Sequence, residues 1–295
     1  MTFFQNTFWR WSLYGIYALL LVAILLYLRF PTQKFKTFCS QVISQHFSGY
    51  ENSIGSLRYQ FPLTLVVSNL HLQANNKAAI DVIDIPKVTL APSLSGRGKT
   101  FSLSITAYGG THQATLVLDR AHSTYTLPKI EINGLDLAKL PWLKIQTRRT
   151  ITGLLTAQGS YSGQSGQDIS KGTGQGTVNI KNGTFELLET ILSLKNIDVA
   201  SGEALIKLHE QKMLLTKGKF SGKELEGTFS GQINSLGISL AAMQLNLKGA
   251  LAPLPALAKK SGQDQSLFQQ LQKNHGVLPF QLQGTIGKPV FRFDS

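Results

Sequence analysis

The chain has 295 residues, of which 42% are hydrophobic, 15% are charged and only one, Cys39, is a cysteine. This composition is ample for a folded core, and it excludes a disordered polyampholyte, a coiled coil, a disulfide framework and a cysteine-based metal site. Lys and Arg number 29 against 16 Asp and Glu, which gives a net charge of +13, and residues 1–50 contain no acidic residue.

An uncharged run near the amino terminus predicts a membrane anchor. Residues 12–28 read SLYGIYALLLVAILLYL, 17 positions without a charge. A helix of that length spans roughly 26 Å, close to the ~30 Å hydrocarbon core of a bilayer. Trp9, Arg10, Trp11 and Arg29 flank the run as membrane-interface residues do. A cleavable signal peptide is the alternative, but no small-residue cleavage site follows, so we expect an uncleaved transmembrane helix.

Two arguments about the orientation of this anchor conflict. Arg29, Lys34 and Lys36 follow the run, whereas only Arg10 and the amino terminus precede it, so positive-inside counting favours a cytoplasmic body. Long C-terminal domains, however, are translocated largely regardless of loop charge. Against the charge count, we expect residues 1–11 in the cytoplasm, a juxtamembrane segment over 29–56 with a helix at 34–47, and a periplasmic body over 57–295, anchored in a bacterial inner membrane.

The body shows the period-two alternation of β-strands. From residue 101 the chain reads FSLSITAY, with apolar side chains on one face and Ser or Thr on the other. A second alternating run, around residue 240, contains a phase slip at 241–242 that is typical of a β-bulge. The predicted apolar face, either a groove or a packed core, contains Phe101, Leu103, Ile105, Ile238, Leu240, Met243, Leu245 and Leu247. The fold class predicted is mostly β, a long curved antiparallel sheet that forms an open groove or a half-barrel, with a few short helices.

Further alternating segments and turn residues support this assignment. Additional strands are predicted at 115–118, 129–132, 151–157, 176–180, 205–208, 225–233 and 279–285. Short helices are predicted at 136–146 and 254–274. Residues 158–176 contain six glycines in 19 positions, and this composition predicts a flexible loop.

The sequence offers little that could support catalysis or cofactor binding. Its six histidines are scattered without metal-ligand spacing, its closest acid pairs resemble ordinary solvated residues, and no phosphate-loop or nucleophile-elbow motif is present. We therefore expect no catalytic residues, no cofactor and no metal. A lysine cluster at 207–223 lacks interleaved aromatic residues, so we expect no nucleic-acid partner; anionic lipid head groups or an acidic protein surface suit this charge better.

Two segments resemble known proteins. The C-terminal sequence VLPFQLQGTIGKPVFRF resembles the closing strands of AsmA-like proteins, with matches at Leu278, Pro279, Gly284, Thr285 and Pro289. The segment GTVNIKNGTF resembles a strand and turn of the same group, with matches at Gly176, Val178, Ile180, Asn182, Gly183 and Phe185. The length, the single anchor, the LRFP exit from the membrane and the YGG turn at 108–110 resemble protein N of the type II secretion system, the GspN family.

These resemblances imply two functions that do not involve catalysis. Similarity to the GspN family implies an inner-membrane-anchored accessory or assembly component of a type II secretion system, which binds other secretion-system or envelope proteins. Similarity to AsmA-like proteins implies the alternative, a lipid-binding or lipid-transfer module that supports envelope biogenesis. Membrane lipids are expected partners in both.

Overall fold

The computed structural model describes residues 13–18, 21–22, 24, 31–46, 50–61, 63–74, 82–93, 99–119, 121, 123–192, 194–234, 240–260 and 276–294. In these ranges, no helix is both long enough and apolar enough to cross a bilayer. The predicted anchor at 12–28 lies partly outside the described residues; those that are described are helical. The flanking residues Trp9, Arg10, Trp11 and Arg29 also lie outside them, so the anchor stays a prediction.

The described part of the chain forms one antiparallel sheet of fourteen strands. The strands are β1 Tyr50–Gln60, β2 Thr64–Ala74, β3 Val82–Pro92, β4 Lys99–Ala107, β5 Gly110–Asp119, β6 Thr124–Asp136, β7 Ile151–Gln164, β8 Thr173–Ile191, β9 Leu194–His209, β10 Lys212–Ser221, β11 Leu225–Asn234, β12 Gln244–Pro253, β13 Leu278–Thr285 and β14 Lys288–Phe293. Each strand pairs with its neighbour in sequence, so β1 and β14 are the two edges of an open sheet. The prediction of a mostly β, antiparallel fold is thereby confirmed.

Besides the helical residues described between 13 and 24, three α-helices accompany the sheet in the described part of the chain. They are α1 Thr32–His46, α2 Pro141–Thr147 and α3 Pro255–Lys260. Helix α1 agrees with the helix predicted at 34–47 and begins two residues earlier. It precedes β1 and packs on it, a contact that the sequence did not predict. A 3₁₀ turn at Leu137–Lys139, which the Asp136 side chain caps by accepting from the Ala138 backbone N–H at 3.1 Å, precedes α2, so the predicted helix at 136–146 is divided at Leu140.

The glycine-rich segment 158–176 is not a flexible loop. Strand β7 extends to Gln164 and β8 begins at Thr173, so only eight residues, 165–172, connect them. Gly159 lies opposite Gly176, and Tyr161 lies opposite Gly174. The small residues therefore allow two strands to approach and an aromatic ring to lie beside them, a pairing that local composition does not reveal.

The phase slip at 241–242 also has a different cause from the β-bulge predicted there. Leu240–Ala242 is a 3₁₀ turn between β11 and β12, so the two alternating runs belong to the connection and to the following strand. Its geometry is supported by the Met243 backbone N–H, which donates to the Leu240 carbonyl at 3.3 Å.

The sheet coils enough to bring opposite strand ends together. The connection of β6 to β7, which contains α2, leaves the sheet at the end where β12 finishes and β13 begins, because Leu135 and Leu278 share one cross-strand row. Yet α2 contacts the 3₁₀ turn at the other end of β11 and β12. A flat sheet could not make this contact, so the strand twist accumulates into a coil.

Candidate functional site: the apolar face of the sheet

One face of the sheet carries a row of residues that crosses all fourteen strands without a charge. Following the strand register from β1 to β14, this first row contains Leu57, Val67, Val88, Ile105, His112, Ile132, Ala157, Val178, Ala204, Gly218, Phe229, Gly249, Phe280 and Phe293. His112 is the only member with a polar ring. At ~4.8 Å between strands, the row is roughly 60 Å long.

A second row is uncharged throughout. It lies two residues from the first row on every strand except β10, where a register irregularity makes the separation three. It contains Tyr59, Leu65, Leu90, Leu103, Ala114, Ile130, Gly159, Gly176, Ile206, Leu215, Gly231, Leu247, Leu282 and Phe291. A third row, on the other side of the first, covers β6 to β13 with Leu135, Leu155, Ile180, Gly202, Phe220, Gly227, Leu251 and Leu278. We call the surface formed by these three rows the apolar face.

The opposite face carries most of the polar and charged side chains, because residues alternate between faces along a strand, with slips at the register irregularities of β6 and β10. One row of this polar face reads, from β1 to β10, Arg58, Val66, Thr89, Ser104, Gln113, Glu131, Gln158, Thr177, Leu205 and Lys217. Ion pairs lie on this side, such as Lys219 with Glu203 at 3.0 Å. The charge of the body is therefore kept off the apolar face.

Solvent exposure differs between neighbouring residues of the two faces in the later strands. Leu214 and Val290, which point to the polar face, are 38% and 46% exposed, whereas their neighbours Leu215 and Phe291 are half-buried. Every residue of the second row is half-buried. Two of them, Leu282 and Phe291, pack against a buried cluster of Leu251, Leu278 and Phe280, so solvent reaches this row only in part.

Helices pack on the sheet at two places. Cys39 and Ile43 of α1 pack on a buried cluster of Ile54, Leu70 and Leu72 at β1 and β2. At a strand end further along the sheet, Leu257 of α3 is only 1% exposed and packs with Leu194 and Leu225. In the described residues, these contacts close the β1–β3 corner and one end of β9–β11.

Aromatic rings lie against glycines in the later strands of the face. A Cβ added to Gly218 would lie 2.4 Å from the Phe229 ring, and one added to Gly249 would lie 2.8 Å from the Phe280 ring. Phe280 stacks on Phe291 with centroids 5.3 Å apart, and Phe291 meets Phe293 edge-on at 5.0 Å. Because the rings occupy the space over glycines, they form an apolar surface close to the backbone.

The structure separates the residues predicted for the apolar face. Leu103, Ile105 and Leu247 belong to its rows. Phe101 and Leu245 lie two residues beyond Leu103 and Leu247 on the same strands, opposite uncharged partners.

The other three predicted residues lie elsewhere. Leu240 belongs to the 3₁₀ turn, Met243 is the half-buried residue before β12, and Ile238 lies outside the described residues.

His112 is a polar residue of the apolar face that sequence reasoning did not single out. Its Nε2 lies 3.3 Å from the Ala107 carbonyl oxygen, and its buried Nδ1 has no hydrogen-bond partner in the described part of the chain. The alternation of β5 could have revealed it. Thr111 and Gln113 on either side are exposed, so His112 between them points to the other face.

Polar groups near the apolar face are held by local interactions. The Tyr161 hydroxyl donates to the Ile169 carbonyl at 2.6 Å. Burial, and then the adjacent Tyr125 hydroxyl, raise the pKa of Tyr161, so its phenol stays protonated and neutral. Among the described residues, no group of three or more His, Cys, Asp or Glu side chains is arranged to hold a metal ion.

No protein-family model, curated protein or solved structure matches this chain. The site is therefore defined by its own geometry: an uncharged face that crosses the full width of an open sheet.

Proposed function

We propose that the protein binds the acyl chains of lipids along the apolar face and acts as a lipid-binding or lipid-transfer module. The observation that carries this proposal is the second row, which crosses fourteen strands with no charged or hydrogen-bonding group except the Tyr59 hydroxyl at one edge. Burying apolar surface stabilises a complex in proportion to the area removed from water, about 0.8 kcal/mol for each CH₂ group.

The dimensions of the face favour a long apolar ligand over a compact one. One leaflet of a ~30 Å hydrocarbon core is about 15 Å deep, so a row roughly 60 Å long exceeds one acyl layer several-fold. Small-molecule sites are usually enclosed pockets with a few converging polar groups. The apolar face has instead a uniform lining, which suits hydrocarbon chains and offers little to fix a polar substrate.

The test compares neighbouring residues that point to opposite faces of β4. Leu103→Asp places a carboxylate in the second row, whereas Ser104→Asp places one opposite Thr89 and Gln113 on the polar face. Purified protein would be incubated with vesicles that contain a pyrene-labelled phospholipid, re-isolated and assayed for bound label. We expect labelled lipid on wild type and on Ser104→Asp, and at least a tenfold loss on Leu103→Asp.

A thermal melt of both variants separates groove from core. In an open groove, Leu103→Asp leaves the carboxylate hydrated and the melting temperature nearly unchanged. In a packed interior, the buried carboxylate would instead destabilise the fold by several kcal/mol and lower the melting temperature strongly. Equal lipid binding by wild type and Leu103→Asp, with both folded, would refute the proposal.

The secretion role implied by resemblance to the GspN family is a separate proposal, as is the periplasmic location of the body. Both rest on the sequence patterns alone. Affinity purification from cells with an active type II secretion system tests the first, and recovery of no secretion component would count against it. A C-terminal alkaline phosphatase fusion tests the second, since the enzyme would be active only in the periplasm.

A further inference from the structure

We propose that the end of the sheet formed by α1 and the β1–β2 turn docks on the surface of an anionic lipid bilayer. This inference is independent of acyl-chain binding, because a protein can rest on a membrane without loading its groove. We call this surface, which contains Phe38, Val42, Phe61 and Leu63, the docking end.

Helix α1 has apolar side chains beyond those that contact the sheet. Cys39 and Ile43 face the cluster at β1 and β2. Phe38 and Val42, however, are 59% and 36% exposed on an adjacent stripe of the helix, and Phe38 makes an edge contact with Phe35 at 6.2 Å. A helix that needed only to pack on the sheet would carry polar residues at these positions.

The direction of α1 aligns this stripe with a second exposed apolar element. Lys36 Nζ lies 3.5 Å from the Gly55 carbonyl oxygen, while the Asn52 amide donates to Ser44 Oγ at 2.7 Å. These two contacts show that α1 runs in the direction opposite to β1. The start of α1 therefore lies toward the β1–β2 turn. In that turn Phe61 is 72% exposed and Leu63 is 53% exposed.

The charge of this region matches anionic head groups. Residues 31–46 and 52–80 contain no Asp or Glu, and the basic residues there include Lys34, Lys36 and Arg58. Basic residues near an anionic surface contribute about 1 kcal/mol each, and exposed aromatic and aliphatic side chains insert at the interface.

The segment before α1 favours a bilayer over a protein as the occupant. Residues 12–28 are uncharged, and the described helical part of this segment exposes Leu13, Ile16, Val22 and Ile24. A chain whose apolar segment enters the bilayer would place α1, which begins at residue 32, at the membrane surface. The docking end then continues the membrane contact from that segment to the tip of the first hairpin.

The test measures which residues enter the bilayer in the full-length protein. In a Cys39→Ser background, single cysteines replacing Phe38, Phe61 or Leu188 would carry an environment-sensitive fluorophore. Leu188 is the matched control, because it is 48% exposed but lies in β8 beyond the opposite strand ends. The variants would be reconstituted into vesicles of phosphatidylethanolamine and phosphatidylglycerol, with or without spin-labelled lipid.

We expect blue-shifted emission and quenching by shallow spin-labelled lipid at positions 38 and 61, and water-like emission at position 188. Replacing phosphatidylglycerol by phosphatidylcholine should reduce the quenching. Water-like emission at all three positions would overturn the proposal. Blue-shifted emission at 38 and 61 without lipid quenching would also overturn it, since it would indicate contact with protein. Lipid extracted from the same samples reports on the groove separately.

Discussion

The Gln146 side-chain oxygen accepts a hydrogen bond from the backbone N–H of Leu240 at 2.9 Å, although the two residues are 94 positions apart. Three residues after Gln146, the Arg149 guanidinium donates to the Ile286 carbonyl oxygen. These bonds join the connection of β6 and β7 to the connections at the opposite ends of β11–β12 and β13–β14. They hold the coil of the sheet at one point.

Gln146→Leu should remove the hydrogen bond to Leu240 and lower the stability of the protein measurably. The Leu240 N–H would lose its acceptor in a partly buried place, at a cost of about 1–3 kcal/mol. We expect a lower urea midpoint than wild type with an unchanged slope. Gln167→Leu is the control, because the Gln167 amide bonds only to Gln164 in an exposed turn at 2.6 Å. Identical midpoints for the two variants would show that this hydrogen bond contributes nothing to stability.

Gly218→Ala should destabilise the sheet, whereas Gly202→Ala should not. The new methyl at 218 would meet the Phe229 ring at 2.4 Å, and overpacking of this kind costs typically about 1–3 kcal/mol. At Gly202 the nearest atom, Val199 Cγ1, is at an ordinary 3.4 Å. Thermal melts of both variants check this. Equal tolerance of both methyls would mean that the Phe229 ring does not lie over Gly218.

Asn52→Ala should expose Cys39 to alkylation. The Asn52 side chain bonds to the Ser40 hydroxyl at 2.6 Å, the Ser40 carbonyl at 3.1 Å and the Ser44 hydroxyl at 2.7 Å, so it holds α1 on the sheet. Burial raises the pKa of the Cys39 thiol, which already slows its reaction. We expect iodoacetamide at pH 8 to label Cys39 in Asn52→Ala several times faster than in wild type, through local opening of α1.

The matched control for this experiment is Glu51→Ala, since Glu51 is exposed on the other face of β1. Labelling as slow in Asn52→Ala as in Glu51→Ala would contradict the role assigned to Asn52.

Asp168 should make stability depend on pH in the acid range. The Ser170 backbone N–H donates to the Asp168 carboxylate at 2.8 Å, and this hydrogen bond lowers the pKa of Asp168. Because the folded pKa is below the unfolded value of about 3.9, the contribution is present above pH 3.9 and is lost as the pH falls through the folded pKa. The urea midpoints of wild type and Asp168→Asn should therefore differ more at pH 6 than at pH 2.5. The same difference at both values would be inconsistent with this assignment.

The alternation of apolar and polar residues predicted the sheet well, because the face to which a side chain points is set locally within a strand. Phe101, Leu103 and Ile105 could be assigned to one face from eight residues of sequence. The role of the glycines could not be predicted in this way. Gly159 pairs with Gly176 on the neighbouring strand, and the register between strands depends on the whole sheet. Composition alone therefore suggested flexibility where the chain is paired.

The hydrogen bond between Gln146 and Leu240 could not be predicted from local sequence either. Nothing near Gln146 indicates an acceptor for Leu240, since the contact depends on twist added over several strands. The uninterrupted second row likewise emerged only from the register, although each of its residues was visible in an alternating run.

The order of the strands also bears on how the chain acquires its structure. Every strand pairs with its immediate neighbour in sequence, so each pair can close as soon as its own two strands are available. Structure can then grow strand by strand in the order in which the chain is synthesised. The Gln146–Leu240 bond spans five strands, β7 to β11, and can form only after β11 has been added. The coil is therefore fixed late, on a sheet that is already largely paired.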